Sequence, residues 1–187
     1  MNKVFFWIVA VAIILIAAGS IYYVARHPNN PASGNNAAAT QPAPLMDRGI
    51  EVTSTAQAAA NPISVFRLNL SGQKLTALPT SVLEMSNLTL LNLANNSLTD
   101  LPPEIGNLKN LQVLYLGNNP LTSLPDEIGN LPNLWMLSLF NDQLTALPPS
   151  IVNLKSLKVL GLTGNPIPSS TLRALQSKLP KVRIITK

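Results

Sequence analysis

From Val65 onward the apolar positions of this chain fall into columns. A shift of 23 residues brings Val65, Leu88, Leu111, Leu134 and Leu157 into one register, and the first four repeats align without a gap. Thirty of the 32 leucines lie at or after Leu68, so the apolar core belongs to this part of the chain. A fixed period of this size marks stacked units, none of which can bury its apolar face alone.

Within each repeat the pattern predicts the elements. Leu91 and Leu93 alternate, as do Leu114 and Leu116, and Leu137 and Leu139. Period two sends both members of a pair to one face of a short strand. The ninth position carries Gln73, Asn96, Asn119, Asp142 and Asn165. A polar side chain turned inward there is placed to bond backbone groups of adjacent coils that would otherwise be buried and unpaired. Asp142 lacks the amide donor, which predicts a weaker rung. Pro79, Pro102, Pro125 and Pro148 mark where the chain leaves the strand side, because proline fixes φ and donates no ladder bond. Val82, Ile105, Ile128 and Ile151 then fill the core from a returning helical or 3-10 stretch. Gly106 and Gly129 share one column and suit a backbone turn better than a phosphate loop.

These columns read L-x-x-L-x-L-x-x-N-x-L and close on LPPEIGNL at 101–108 and LPDEIGNL at 124–131. They resemble the 23-residue class of leucine-rich repeats found in bacterial proteins and in the plant and animal Ras-group proteins. The resemblance covers about residues 53–187. It implies an α/β solenoid with short parallel strands on a concave face and helical or 3-10 turns on a convex face. It implies protein–protein interaction as the role and leaves the partner open, because a fold does not fix a function.

The remaining chain divides by composition. Residues 4–24 are uncharged and almost wholly apolar. As a helix that length crosses the ~30 Å hydrocarbon core of a bilayer. Trp7 near one end and Tyr22 and Tyr23 near the other suit the water–lipid boundary. The run is longer than the roughly 7–15-residue core of a cleavable signal, which favours an uncleaved anchor over a secreted product. Lys3 and the α-amino group together outweigh Arg26, placing the N-terminus inside and the repeats outside. Residues 25–52 read as a flexible linker punctuated by Pro28, Pro31, Pro42 and Pro44. Residues 53–64 form an N-terminal cap with a short helix expected over 54–60. Repeats occupy 65–168, and 169–187 form a C-terminal cap. There Ser169 or Ser170 is expected to N-cap a helix bearing Leu172, Leu175 and Leu179, ended by Pro180. Val182, Ile184 and Ile185 follow as a last strand, with Lys181, Arg183 and Lys187 discouraging edge pairing.

Composition removes most chemistry. Charged residues make up 11% of the chain, against roughly 25% in an average domain. There is no cysteine and a single histidine, His27, so thiol nucleophiles, disulfides and multi-histidine metal sites are excluded. Glu104 and Glu127 sit one period apart but arise from a repeated surface motif without a nucleophile beside them. No catalytic residue, metal site or cofactor is expected. Charge is uneven: six carboxylates face three cations over 65–142, whereas 143–187 hold seven cations and no acid. No nucleic-acid-binding motif accompanies that basic end.

The candidate binding surface follows from the strand positions between the core leucines. Leu90, Val113 and Met136 share the third position, Tyr115 holds the fifth, Trp135 the second and Phe140 the seventh. Aromatic side chains on such a face are typical contact anchors. A protein ligand is expected on this concave face, with the membrane engaged only by the N-terminal helix. The expected location is therefore the cell membrane, single-pass, with the repeats outside the cytoplasm. Two alternatives stand beside it. One is an envelope structural protein whose basic C-terminal end attaches to an anionic polymer or lipid. The other is a secreted repeat protein released by signal cleavage.

Overall fold

The structure, a computed structural model, describes residues 14–17, 20–23, 51–56 and 65–187. The chain divides into two units, Met1–Ala43 and Pro44–Lys187. In the first, β1 (Ile14–Ala17) pairs antiparallel with β2 (Ser20–Tyr23), Ile14 opposite Tyr23 and Ala17 opposite Ser20. This corrects the continuous helix expected over 4–24 wherever that segment is described. Ile14, Ile16, Ile21, Tyr22 and Tyr23 are β-branched or aromatic, and such side chains favour strands over helices. Among the described residues no helix is long and apolar enough to cross a membrane.

The second unit is built on one seven-stranded parallel sheet in chain order. Its strands are β3 (Glu51–Val52), β4 (Arg67–Asn69), β5 (Leu90–Asn92), β6 (Val113–Tyr115), β7 (Met136–Ser138), β8 (Val159–Gly161) and β9 (Arg183–Ile185). From β4 to β8 the register advances by one period per strand, so Leu68, Leu91, Leu114, Leu137 and Leu160 stand side by side. All five are fully buried. Each such leucine contributes roughly 1.5–3 kcal/mol of burial. The sheet begins before the first repeat: β3 falls inside the linker expected over 25–52 and covers the edge that β4 would otherwise present. Of the short helix expected over 54–60, Thr55 and Ala56 are helical; 57–60 lie outside the described residues.

The chain returns on the far side of the core through α1 (Thr80–Leu83) and three 3-10 helices, Pro103–Asn107, Asp126–Asn130 and Pro149–Asn153. Pro79, Pro102, Pro125 and Pro148 hold the N-cap position of each, all extended, with φ between −69° and −60°. The proline carbonyls accept from Val82, Ile105, Ile128 and Ile151 at 3.0–3.1 Å and so start each turn. Those four apolar side chains close the core from this side. At the C-terminus α2 (Ser169–Lys178) is preceded by Pro168 as N-cap with no side-chain cap bond, so neither Ser169 nor Ser170 caps it. Proline fits the extended entry that the three 3-10 helices use. The Gln176 amide closes the other end, donating to the Leu179 and Val182 carbonyls at 3.1 and 3.2 Å.

Polar ladders tie the coils. Asn96 Oδ1 accepts from the Leu75 amide at 3.0 Å, while its Nδ2 donates to the Leu70 and Leu93 carbonyls at 2.9 and 2.8 Å. Asn119 repeats this toward Leu98, Leu93 and Leu116, and Asn165 toward Leu144, Leu139 and Leu162. Gln73, at the first rung, is exposed and reaches the Thr53 carbonyl at 2.6 Å. The Leu93 carbonyl thus receives two side-chain donors, one from its own coil and one from the next.

Asp142 breaks the pattern. It donates nothing, so the Leu116 and Leu139 carbonyls each keep one ladder donor, from Asn119 and Asn165. Its Oδ1 accepts from the Asn119 amide at 2.7 Å, and its buried Oδ2 has no partner. Burial pushes its pKa from 3.8 up to about 7, against the lowering effect of the Asn119 bond.

A second ladder runs along the preceding position. Gly72, Asn95, Asn118, Asn141 and Gly164 all have φ between +56° and +80°, a left-handed turn that asparagine and glycine tolerate. Asn118 Nδ2 donates to Asn95 Oδ1 at 2.9 Å, and Asn141 Nδ2 to Asn118 Oδ1 at 3.0 Å. A third column uses Asn110, Asn133 and Ser156, each donating to a carbonyl of the preceding coil, those of Ser86, Lys109 and Pro132.

Gly106 and Gly129 serve close approach rather than a left-handed turn. A β-carbon on Gly106 would meet the Glu127 carbonyl oxygen at 2.6 Å, and one on Gly129 would meet Ser150 in the same way. The next residue of that column is Val152, 40% exposed, where no further 3-10 helix stacks.

Two expectations follow. Folding raises the Asp142 pKa, so its contribution is fully present below about pH 4 and is lost as pH rises through about 7. Asp142→Asn, which restores the amide donor, is expected to flatten that slope in denaturant unfolding and to stabilise the chain at pH 8 by about 2 kcal/mol. Gly106→Ala is expected to cost about 2 kcal/mol by overpacking, while Val152→Ala stays within about 0.5 kcal/mol; thermal unfolding of the two variants separates the cases.

Candidate functional site

Side chains between the core leucines project from the outer face of the sheet. The pairing sets Leu90 beside Val113 and Val113 beside Met136, and sets Asn92 beside Tyr115 and Tyr115 beside Ser138. Burial along these columns is not uniform. Leu90 and Phe140 are half-buried. Val113, Tyr115 and Met136 are only 7%, 8% and 8% exposed.

Three of the six candidate contact residues are therefore largely buried. The Tyr115 hydroxyl donates to Met136 Sδ at 3.8 Å, so the two pack as a pair. Phe140 lies against Gly117, close enough that a β-carbon on Gly117 would meet its ring at 2.8 Å. The missing side chain at 117 is what lets the ring lie down.

Trp135 belongs elsewhere. It is half-buried and lines an open cleft of about 610 Å³ together with Asn133, Lys155, Ser156, Leu157, Lys158 and Lys181. These residues precede β7, β8 and β9, so the cleft lies where the last three coils enter the sheet. The Lys158 amide donates to the Trp135 carbonyl at 2.8 Å, and the Arg183 amide to the Lys158 carbonyl at 2.8 Å. Trp135 and Lys158 are thus carried on paired backbone. Lys155, Lys158 and Lys181 belong to the acid-free stretch 143–187. Their meeting with Trp135 was missed from sequence. The available signal was that Trp135 and Lys158 are one period apart.

Among the described residues no group of three or more His, Cys, Asp and Glu is arranged to hold a metal ion. The arrangement offers contact surface and charge.

Comparison with known proteins agrees with this architecture. Residues 86–144 match the family model for leucine rich repeats. The fold is a leucine-rich repeat solenoid. An internalin of Listeria monocytogenes is similar at TM-score 0.59 and 22% identity, over 69% of this chain and 37% of that one. A leucine-rich repeat protein of Leptospira interrogans is 33% identical over 68% of this chain and 45% of that one, at TM-score 0.47. The chain spans less than half the length of either protein. No curated protein matches it. Leucine-rich repeat domains generally bind proteins.

Tyr115→Ala is expected to destabilise the leucine-rich repeat by about 2 kcal/mol or more, because it removes a buried ring. Trp135→Ala is expected to leave the melting temperature nearly unchanged. Equal losses in thermal unfolding would contradict this division.

Proposed function

We propose that the chain is a non-enzymatic protein-interaction module of the 23-residue leucine-rich repeat class, held at a membrane by residues 4–24 with the repeats outside the cytoplasm. The observation that carries the binding role is the continuous register of β4 to β8. It presents non-repeating side chains on one rigid face, from Arg67 and Leu90 through Phe140 and Val159. Repetition builds the core, and variation between the core leucines supplies specificity. Attachment is supported by the uncharged apolar run alone, whose length and composition suit the hydrocarbon core of a bilayer. Outward display is supported by Lys3 and the α-amino group against Arg26.

The test combines topology with contact. A photo-crosslinking residue is placed at Asn92, on the sheet's outer face, or at Glu104, on the 3-10 side. Intact cells are then irradiated, and separate cells are treated with external protease. Full-length, membrane-bound chain whose repeats are digested from outside, with a discrete protein adduct from position 92 and none from 104, is the expected result. Repeats protected until the inner membrane is broken would overturn outward display. A shortened, released product would overturn anchoring in favour of secretion. No adduct from position 92 would overturn binding on this face.

A further inference from the structure

The cleft at Trp135 combines features that together specify an occupant. Its lysines are uncompensated: among the described residues the ammonium groups of Lys155, Lys158 and Lys181 have no hydrogen-bond or ion-pair partner. No carboxylate side chain follows Asp142 in the chain. Three cations around one cleft repel each other, and an anionic occupant relieves that repulsion. The other polar side chains there are already engaged. Asn133 donates to the Lys109 carbonyl at 2.9 Å, and Ser156 to the Pro132 carbonyl at 2.6 Å. Recognition in the cleft therefore falls to charge and to apolar contact.

The apolar part is specific. Trp135 offers a half-buried indole beside buried Leu157. Tryptophan is enriched among the anchor residues of protein interfaces. The volume, about 610 Å³, far exceeds an inorganic anion and accommodates a few residues of a peptide. A single indole does not make the succession of stacking surfaces that single-stranded nucleic acid uses. The backbone at Trp135 and Lys158 is already paired, which holds the indole in place before a ligand arrives.

We propose that this cleft receives an acidic segment of a protein partner, one in which carboxylates flank a single apolar side chain. The inference rests on the protein-binding function proposed above and adds the chemistry of the partner and the place where it docks. Carboxylates pair with Lys155, Lys158 and Lys181, and the apolar side chain packs on Trp135. The rest of the partner lies along the outer face of the sheet.

The test uses the full-length chain in nonionic detergent and a fluorescent peptide of glutamates flanking one phenylalanine. Binding is expected, and it is expected to weaken by about tenfold or more in the Lys155→Glu, Lys158→Glu, Lys181→Glu triple variant and in Trp135→Ala. Alanine in place of the peptide's phenylalanine, and raised salt, are each expected to weaken it. Thermal unfolding verifies that the variants are folded, and Lys→Gln versions replace the triple variant if charge reversal prevents folding. Undiminished binding by folded variants overturns the proposal. So does binding of dextran sulfate or of phosphatidylglycerol vesicles without binding of the peptide. In cells, a partner adduct from position 92 that survives charge reversal undiminished would overturn this docking site while leaving protein binding intact. Absence of any adduct in the unaltered chain is instead the failure of the binding function itself.

Discussion

No coil of this protein satisfies its own backbone. Strands of three residues have nothing to pair with except the coils on either side, so the hydrogen bonds of β4 to β8 all run between repeats. The stacking direction is therefore the direction in which the chain is held together, and every other feature answers to it. The strand leucines repeat because one core runs through all coils. The asparagines repeat because a turn in each coil leaves carbonyls and amides that a side chain from the same or next coil can bond. Gly106 and Gly129 keep the 3-10 sides as close as the strands.

The same constraint shows where departures are tolerated. Val152 replaces glycine in a column whose outer neighbour is no longer a 3-10 helix, and it is exposed. Gln73 replaces asparagine at the first rung, where the neighbour is the chain near Thr53 rather than a full coil. Asp142 is different, because it lies inside the stack. Its carboxyl occupies an amide site, one oxygen unpartnered, and burial raises its pKa to about 7. An ionised carboxylate there would be charged and buried without a cation beside it, which is costly.

Column arithmetic was informative along the stack and weak across it. The ladder positions, the proline stops and the core faces could be read from period and residue type. Trp135 and Tyr115 belong to adjacent repeats and were grouped for that reason. The second position precedes the strand and the fifth ends it, so their side chains emerge at different places in the coil. Lys181 was still less legible, because β9 pairs with β8 one residue out of period, Arg183 opposite Val159, after the intervening α2. The apolar run at 4–24 showed the opposite limit. Uniform apolarity carries no period, and β-branched and aromatic residues at 14, 16 and 21–23 place strands where length alone suggested a helix.

By itself the sequence determined the coil, its length, the side it buries and the residues that stitch one coil to the next. Those properties are local and repeat by translation, so any one repeat describes its neighbours. Only the tertiary structure decided which outer side chains remain available. Tyr115 is buried on Met136, Phe140 lies in the space left by Gly117, and three lysines from the last turns of the chain gather around Trp135. Burial depends on the volume of neighbours across the fold, and those neighbours do not repeat.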